Sequence, residues 1–145
     1  MDARTAASRI VAAVSPGVRE RICAIAPRGE LCFVHTAEAL LRELDNGCDM
    51  LILGLHFDES TMVAALQRVR ARAEAFPVVC VRGRPSRLGQ RSLSALRMAL
   101  NELGAQNFID LLEYPDDEAG NARVRATLER LLQDGPLGAA HRVRP

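Results

Sequence analysis

Residues 48–57 read Cys-Asp-Met-Leu-Ile-Leu-Gly-Leu-His-Phe, a short apolar segment behind one acidic residue. Such near-continuous hydrophobicity is typical of a strand whose sheet is covered by helices on both faces. The segment therefore predicts a central strand of a parallel sheet. Gly54 lies where this strand should end and the chain should turn into a helix. Because ligands of open α/β sheets usually bind at the carboxyl ends of the strands, a site is expected near Gly54.

Four further apolar segments surround this one and predict strands at residues 9–14, 31–34, 76–81 and 107–112. Between the strands, apolar residues at helical spacing predict helices that end near residues 25, 44, 75, 103 and 133. Their candidate N-caps are Ser15 for the first helix, Thr36 for the second and Asp58 or Ser60 for the third. Five strands alternating with five helices predict an α/β fold with a doubly wound, five-stranded parallel sheet.

The chain of 145 residues is long enough to form one domain with a sizeable core. Residues 1–133 contain every predicted strand and helix and form the predicted domain. Residues 134–145 hold two glycines, two prolines and few large apolar side chains. We therefore expect a flexible tail or linker there.

The charge pattern argues against two classes of partner. With 19 basic and 18 acidic residues the formal net charge is +1, so no overall field draws the protein to nucleic acid or to an anionic membrane. Aromatic residues make up 3% of the chain and tryptophan is absent, so the sequence offers no platform for stacking single-stranded nucleic acid. No apolar segment approaches the length of a membrane span or a leader. We expect a cytoplasmic protein that binds neither membranes nor nucleic acid directly.

The four cysteines, Cys23, Cys32, Cys48 and Cys80, are widely separated and lie in apolar surroundings. Zinc and redox sites normally place two cysteines close together, so this spacing predicts buried free thiols in a reducing compartment. All 19 basic residues are arginine, which excludes any mechanism that needs a lysine ammonium group. The glycine-rich, nucleophile and metal-binding motifs of common enzymes are also absent. The sequence therefore predicts a protein that is not an enzyme and has no cofactor or metal.

Three segments carry a resemblance to a known family. Cys-Asp-Met-Leu-Ile-Leu at 48–53 resembles the "PDLILLD" strand of response-regulator receiver domains, Phe-Pro-Val-Val-Cys-Val at 76–81 resembles their "PVIVLT" strand, and Gly-Ala-Gln-Asn-Phe-Ile at 104–109 resembles their "GADDYL". The resemblance covers about residues 8–133. It implies the flavodoxin-like strand order 2-1-3-4-5 and a role in bacterial two-component signal transduction.

The resemblance also implies that the family's phosphorylation site is degenerate. The phosphoacceptor aspartate falls on Gly54, and the acidic pair that holds magnesium falls within Ala13, Val14 and Ser15. The serine or threonine of the fourth strand falls on Arg82, the lysine of the fifth strand on Leu111 and the following proline on Leu112. Phe108 alone keeps its type, at the aromatic position that reports phosphorylation in the family. Without a carboxylate nucleophile or magnesium ligands, ordinary phosphoryl transfer is lost.

What the resemblance implies is a pseudo-receiver that works through protein contacts without phosphorylation. The family most often pairs through its fourth helix, fifth strand and fifth helix, which here include residues 91–103 and 118–133, so a homodimer through this face is one expectation. A shifted alignment would instead place the phosphoacceptor at Asp58, four residues beyond Gly54. Asp58 is equally explained as a helix cap.

Two other groups of residues have alternative functions. Arg82, Arg84, Arg87 and Arg91 crowd the loop after the fourth strand, where guanidinium groups could bind a phosphorylated small molecule or nucleotide. A solvated arginine-rich loop explains them as well. His35 and His56 follow the second and third strands, and a metal shared with Asp58 would need side chains from backbones about 10 Å apart. His141 lies in the predicted tail.

Overall fold

The computed structural model describes residues 8–54, 62–71, 76–83, 90–102 and 107–134. Strands and helices alternate along them. The strands are β1 (Arg9–Ala13), β2 (Glu30–Val34), β3 (Met50–Gly54), β4 (Val78–Arg82) and β5 (Asn107–Asp110). The helices are α1 (Arg19–Ile25), α2 (Ala37–Leu44), α3 (Met62–Arg70), α4 (Gln90–Glu102) and α5 (Glu118–Asp134).

The five strands form one parallel sheet in the order β2-β1-β3-β4-β5. This confirms the predicted doubly wound architecture and its strand order. Gly54, at the end of β3, pairs with Val81 of β4, and Arg82 pairs with Asp110 of β5. The register therefore brings the carboxyl ends of the three strands to one edge of the sheet, where the sequence predicts a site.

Successive residues of the central strands alternate between two cores, one on each face of the sheet. Leu51 and Leu53 of β3 face a core that includes Leu40 of α2 and Leu66 of α3. On the other face, residues from β1, β3 and β4 pack with α1 and α5 through Ile10, Ile52, Val79, Ile22 and Val124. Burial on both faces explains why β3 is apolar throughout: all five of its residues are buried.

The fifth strand ends two residues earlier than the sequence predicts. β5 stops at Asp110, and Leu111–Glu113 form a 3-10 turn. The Asp110 side chain accepts a hydrogen bond from the Leu112 N–H at 3.1 Å. Because a carboxylate bonded to a backbone N–H two residues ahead favours a turn over an extended strand, the prediction of strand through Leu112 was wrong.

The helix starts follow the predictions in part. Thr36 caps α2 by accepting a hydrogen bond from the Ala39 N–H at 3.0 Å, as predicted. Ser15 makes no side-chain cap, because a 3-10 turn at Pro16–Val18 precedes α1. The predicted caps Asp58 and Ser60, and residues 135–145 of the predicted tail, lie outside the described residues. Asp134, predicted to begin the tail, is the last residue of α5.

The cysteine prediction needs one correction. Cys80 is buried and Cys32 and Cys48 are partly buried, but Cys23 is exposed on α1. Ile22 and Ile25 occupy the buried face of this helix, and one residue of helical rotation carries Cys23 away from it. All four thiols are free.

Candidate functional site

Val14 packs against Gly54 at the carboxyl edge of the sheet. A Cβ atom placed on Gly54 would lie 3.2 Å from Val14 Cγ1 and 3.4 Å from Val14 Cβ. Val14 is fully buried in the core shared with α1 and α5. A side chain at Gly54 would therefore meet this valine, which follows β1 directly and would have to shift by a few tenths of an ångström.

Gly83, just after β4, is enclosed in the same way. A Cβ atom on Gly83 would lie 2.7 Å from Val18 Cγ1 and 3.6 Å from Leu111 Cδ1. Leu111 is fully buried and Val18 is 7% exposed, and both belong to the same core as Val14. We call Val14, Val18 and Leu111 the apolar plug. It extends the hydrophobic core up to the ends of β1, β3 and β4.

The apolar plug determines what this edge can do chemically. Valine and leucine side chains offer neither oxygen ligands for a hard cation nor hydrogen-bond donors for a phosphoryl group. In the described part of the chain, no three His, Cys, Asp or Glu residues lie close enough to hold a metal ion. Val14, Gly54 and Leu111 stand where the resemblance places one of the acidic pair, the phosphoacceptor and the lysine. Val14 contacts Gly54 and shares one core with Leu111. Ala13 faces the opposite core.

Arg82 is occupied by an acidic neighbour rather than facing open space. Its Nε atom lies 3.7 Å from Asp110 Oδ1, and both side chains are largely buried, at 17% and 9% exposed. The Nε atom itself is buried without a hydrogen-bond partner. Because Asp110 compensates its charge, Arg82 is a poorer anion ligand than the sequence suggests. The anion site stays a prediction, since Arg84, Arg87 and the side chain of Arg91 lie outside the described residues.

Phe108, the predicted switch aromatic, is partly buried against the core shared with α2 and α3. The guanidinium of Arg97 on α4 lies over its ring, 4.9 Å from the centroid. A cation over the face of an aromatic ring is attracted by the ring quadrupole. This pair could not be predicted from the sequence, because α4 and β5 meet only in the folded chain.

Arg21 holds the turn after β5 in place, and sequence analysis missed it. Its guanidinium donates to Asn121 Oδ1 at 2.6 Å, to the Leu111 carbonyl at 3.2 Å and to the Tyr114 carbonyl at 3.1 Å. The side chain is 13% exposed. Because one acceptor is the carbonyl of Leu111, Arg21 also positions a member of the apolar plug.

His35 is exposed beyond the end of β2. His56 and Asp58, its predicted metal partners, lie outside the described residues, so the shared metal stays a prediction. None of the helices in the described ranges is long and apolar enough to span a bilayer.

Solved structures similar to this chain are response-regulator receiver domains. The receiver domain of an HD domain-containing protein from Pseudomonas fluorescens Pf-5 is 17% identical with a TM-score of 0.69, over 100% of this chain and 98% of that chain. A CheY-like receiver domain from Methanospirillum hungatei JF-1 is 12% identical with a TM-score of 0.64, over 88% and 95% of the two chains. The BeF3-activated receiver domain of RstA from Klebsiella pneumoniae is 16% identical with a TM-score of 0.62, over 87% and 99%.

No protein-family model matches the chain, and no curated protein matches it. The structural likeness confirms the predicted fold: this chain has the fold of a response-regulator receiver domain.

Proposed function

We propose that this protein is a receiver-like module of bacterial signal transduction that acts through protein contacts and is independent of phosphorylation. It would work in the cytoplasm without a cofactor and without catalysing a reaction. The fold supports a signalling role, since proteins of the same architecture are receiver domains. Fold alone does not define function, so the proposal rests on the site.

The observation that carries the proposal is the packing of Val14 onto Gly54. A receiver that accepts a phosphoryl group needs a carboxylate nucleophile, a bound magnesium ion and room for the phosphoryl oxygens. Here the nucleophile position has no side chain, and Val14 Cγ1 lies 3.2 Å from where a Cβ atom would begin. Leu111, fully buried, closes the same edge where the family carries a lysine. The residues at this edge therefore favour a role in packing over phosphoryl transfer.

Incubation with acetyl phosphate and Mg²⁺, followed by intact-mass measurement, tests this proposal. The mass should stay unchanged, while a receiver domain that carries the family's aspartate gains a phosphoryl group under the same conditions. A stable phosphoryl adduct would contradict the proposal. The Asp58→Ala variant then distinguishes two explanations, because loss of the adduct in this variant would identify Asp58 as the phosphoacceptor.

We propose a homodimer through α4, β5 and α5 as the alternative to a different protein on this face. Sedimentation of the full chain over a range of concentrations tests it, with a monomer throughout as the contradicting result.

A further inference from the structure

A groove of about 460 Å³ lies between α4 and α5, along the outer edge of β5. Three consecutive β5 residues, 107–109, line its floor, and α4 contributes Arg97 and Met98 to its wall. Tyr114 and Thr127 also line it. The groove is separate from the apolar plug, since none of the plug's three residues lines it.

The floor of the groove is the edge of a sheet. β5 pairs only with β4, so the N–H and C=O groups on its outer side have no strand partner among the described residues. Asn107 and Phe108 are partly exposed there. An exposed strand edge is a template for an added strand, because main-chain hydrogen bonds supply affinity whatever the side chains are.

The wall of the groove presents an apolar anchor. Met98 is 68% exposed, one of two large hydrophobic side chains with high exposure in the described part of the chain. Met98, Phe108 and Ile109 all line the groove. Flexible methionine side chains adapt to the shape of a bound apolar group. A partner that covers Met98 would remove this apolar side chain from water, which favours binding.

The groove is positively charged. Arg97 is the one charged residue among the described residues that line it. No carboxylate in the described ranges lies within ion-pair distance of Arg97 or of Arg123, whose guanidinium sits over the Tyr114 ring, 5.4 Å from its centroid. Each guanidinium stacks on an aromatic ring, and its N–H groups remain available as donors. A carboxylate in the plane of the guanidinium can accept two of these hydrogen bonds.

This charge disfavours a second copy of the chain as the occupant. A two-fold pairing through the groove would place Arg97 of both copies in one interface whose described lining contains no acid. Like charges brought together in an interface weaken binding, whereas a partner with carboxylates complements them.

We propose that this groove binds an extended acidic segment of a partner protein, which adds to the outer edge of β5 as a sixth strand. An apolar side chain of the segment would contact Met98 and Phe108, and a carboxylate would pair with Arg97. The proposal rests on the protein-contact function proposed above and names the chemistry of the partner.

NMR titration of the ¹⁵N-labelled full chain tests this. The probes are a short peptide that repeats Glu-Thr-Val-Thr, which places Glu and Val on one face of a strand, its counterpart with Lys in place of Glu, and a version with proline in place of every second threonine. They are called the Glu-Val, Lys-Val and proline peptides. The Glu-Val peptide should shift the amides of residues 107–110 and of Arg97. The Lys-Val peptide should bind about tenfold more weakly or not at all. The proline peptide should not bind, because proline lacks the N–H that a ladder requires.

Two variants and a control sharpen the result. Arg97→Glu should reverse the preference between the Glu-Val and Lys-Val peptides, and Met98→Glu should weaken both. Arg42→Glu makes the same charge change on an exposed residue of α2, distant from β5 in the sheet order, and should leave the preference unchanged.

Three results would overturn the inference. These are no shift at about millimolar peptide, equal binding of the proline peptide, or a dimer in sedimentation that Met98→Glu dissociates, which would make a second copy the occupant. Failure of this inference can be told apart from failure of the proposed function. A phosphoryl adduct would contradict the proposed function and would not change how the peptides bind. If the peptides do not bind, the result of the mass measurement stays as it was.

Discussion

Gly54 ends β3 at a point where a Cβ atom would lie 3.2 Å from Val14 Cγ1, closer than most real contacts of this kind. A side chain at position 54 and the Val14 side chain would therefore compete for the same space. An acid at position 14 would be buried in an apolar core, and an acid at position 54 would lie against Val14. At the scale of single residues, the lack of a side chain at Gly54 leaves room for Val14, and a larger residue at position 54 should be unfavourable.

Gly54→Asp should destabilise the protein by about 2–4 kcal/mol without creating a phosphorylation site, because an ionised carboxylate would be buried against Val14. Urea unfolding measures the cost, and intact mass after acetyl phosphate measures phosphorylation. Gly54→Ala is the matched control and should cost about 1 kcal/mol, since Val14 must move by only a few tenths of an ångström. A Gly54→Asp variant as stable as the parent protein, or one that becomes phosphorylated, would show that the edge is roomier and more polar than described.

The sequence predicted individual residues well where one cause dominates and poorly where two compete. Thr36 was correctly predicted as a cap because its surroundings offer no alternative. Cys23 was predicted to be buried from its apolar neighbours, but the phase of α1 places it outside. The pairing of Arg82 with Asp110 depends on the register of β4 and β5. Composition does not reveal that register.

At the scale of elements, the turn between β5 and α5 is attached to α1 by one side chain. Arg21 donates to the carbonyls of Leu111 and Tyr114 and to Asn121 Oδ1, across 90 to 100 residues of sequence. Asn121, itself buried, donates to Asp116 Oδ1 at 3.0 Å. These bonds fix the start of α5 relative to α1. They also give hydrogen-bond donors to backbone carbonyl groups that burial separates from water.

Arg21→Met should cost about 2–4 kcal/mol, because the carbonyl groups of Leu111, Tyr114 and Pro115 and the Asn121 side chain lose their donor while the aliphatic packing is largely kept. Chemical denaturation gives the free energy of unfolding. Arg19→Met is the control on the same helix: Arg19 is exposed and stacks over Phe33 at 4.4 Å, so its loss should cost less than about 1 kcal/mol. Equal costs for the two variants would contradict a special role for Arg21.

The elements themselves were largely predictable. β3 was identified from continuous hydrophobicity, which follows from burial on both faces of the sheet. The end of β5 was not, because the Asp110 side chain starts a turn that two following leucines do not suggest. The groove beside β5 was also beyond prediction, since it depends on how far α4 and α5 stand apart. The sequence indicated the pairing face of the family but not its charge.

At the scale of the whole molecule, one buried and one partly buried thiol make stability depend on alkaline pH. Burial raises the pKa of Cys48 to about 11 and the pKa of Cys80 to about 12, from an ordinary value of 9.0. Above about pH 9 the unfolded chain would lose these protons while the folded chain keeps them. Stability should therefore be unaffected by these groups below about pH 9 and should fall as the pH rises toward about 11–12.

Urea midpoints measured from about pH 8 to about pH 11 test this dependence. Cys80→Ala should flatten the alkaline decline, whereas Cys23→Ala should leave it unchanged because that residue is exposed. The same decline in all three proteins would mean that other groups cause it.

We propose that the apolar plug makes the phosphorylation edge of a receiver fold part of the core. An NMR spectrum of the ¹⁵N-labelled chain, recorded before and after addition of Mg²⁺ and beryllofluoride, tests this most directly, since the pair mimics a phosphorylated aspartate in competent receivers. The predicted result is unchanged amide signals for Val14, Gly54 and Leu111. Saturable shifts centred on those residues would contradict this, because they would require a metal and anion site where the structure places the packed side chains of the apolar plug.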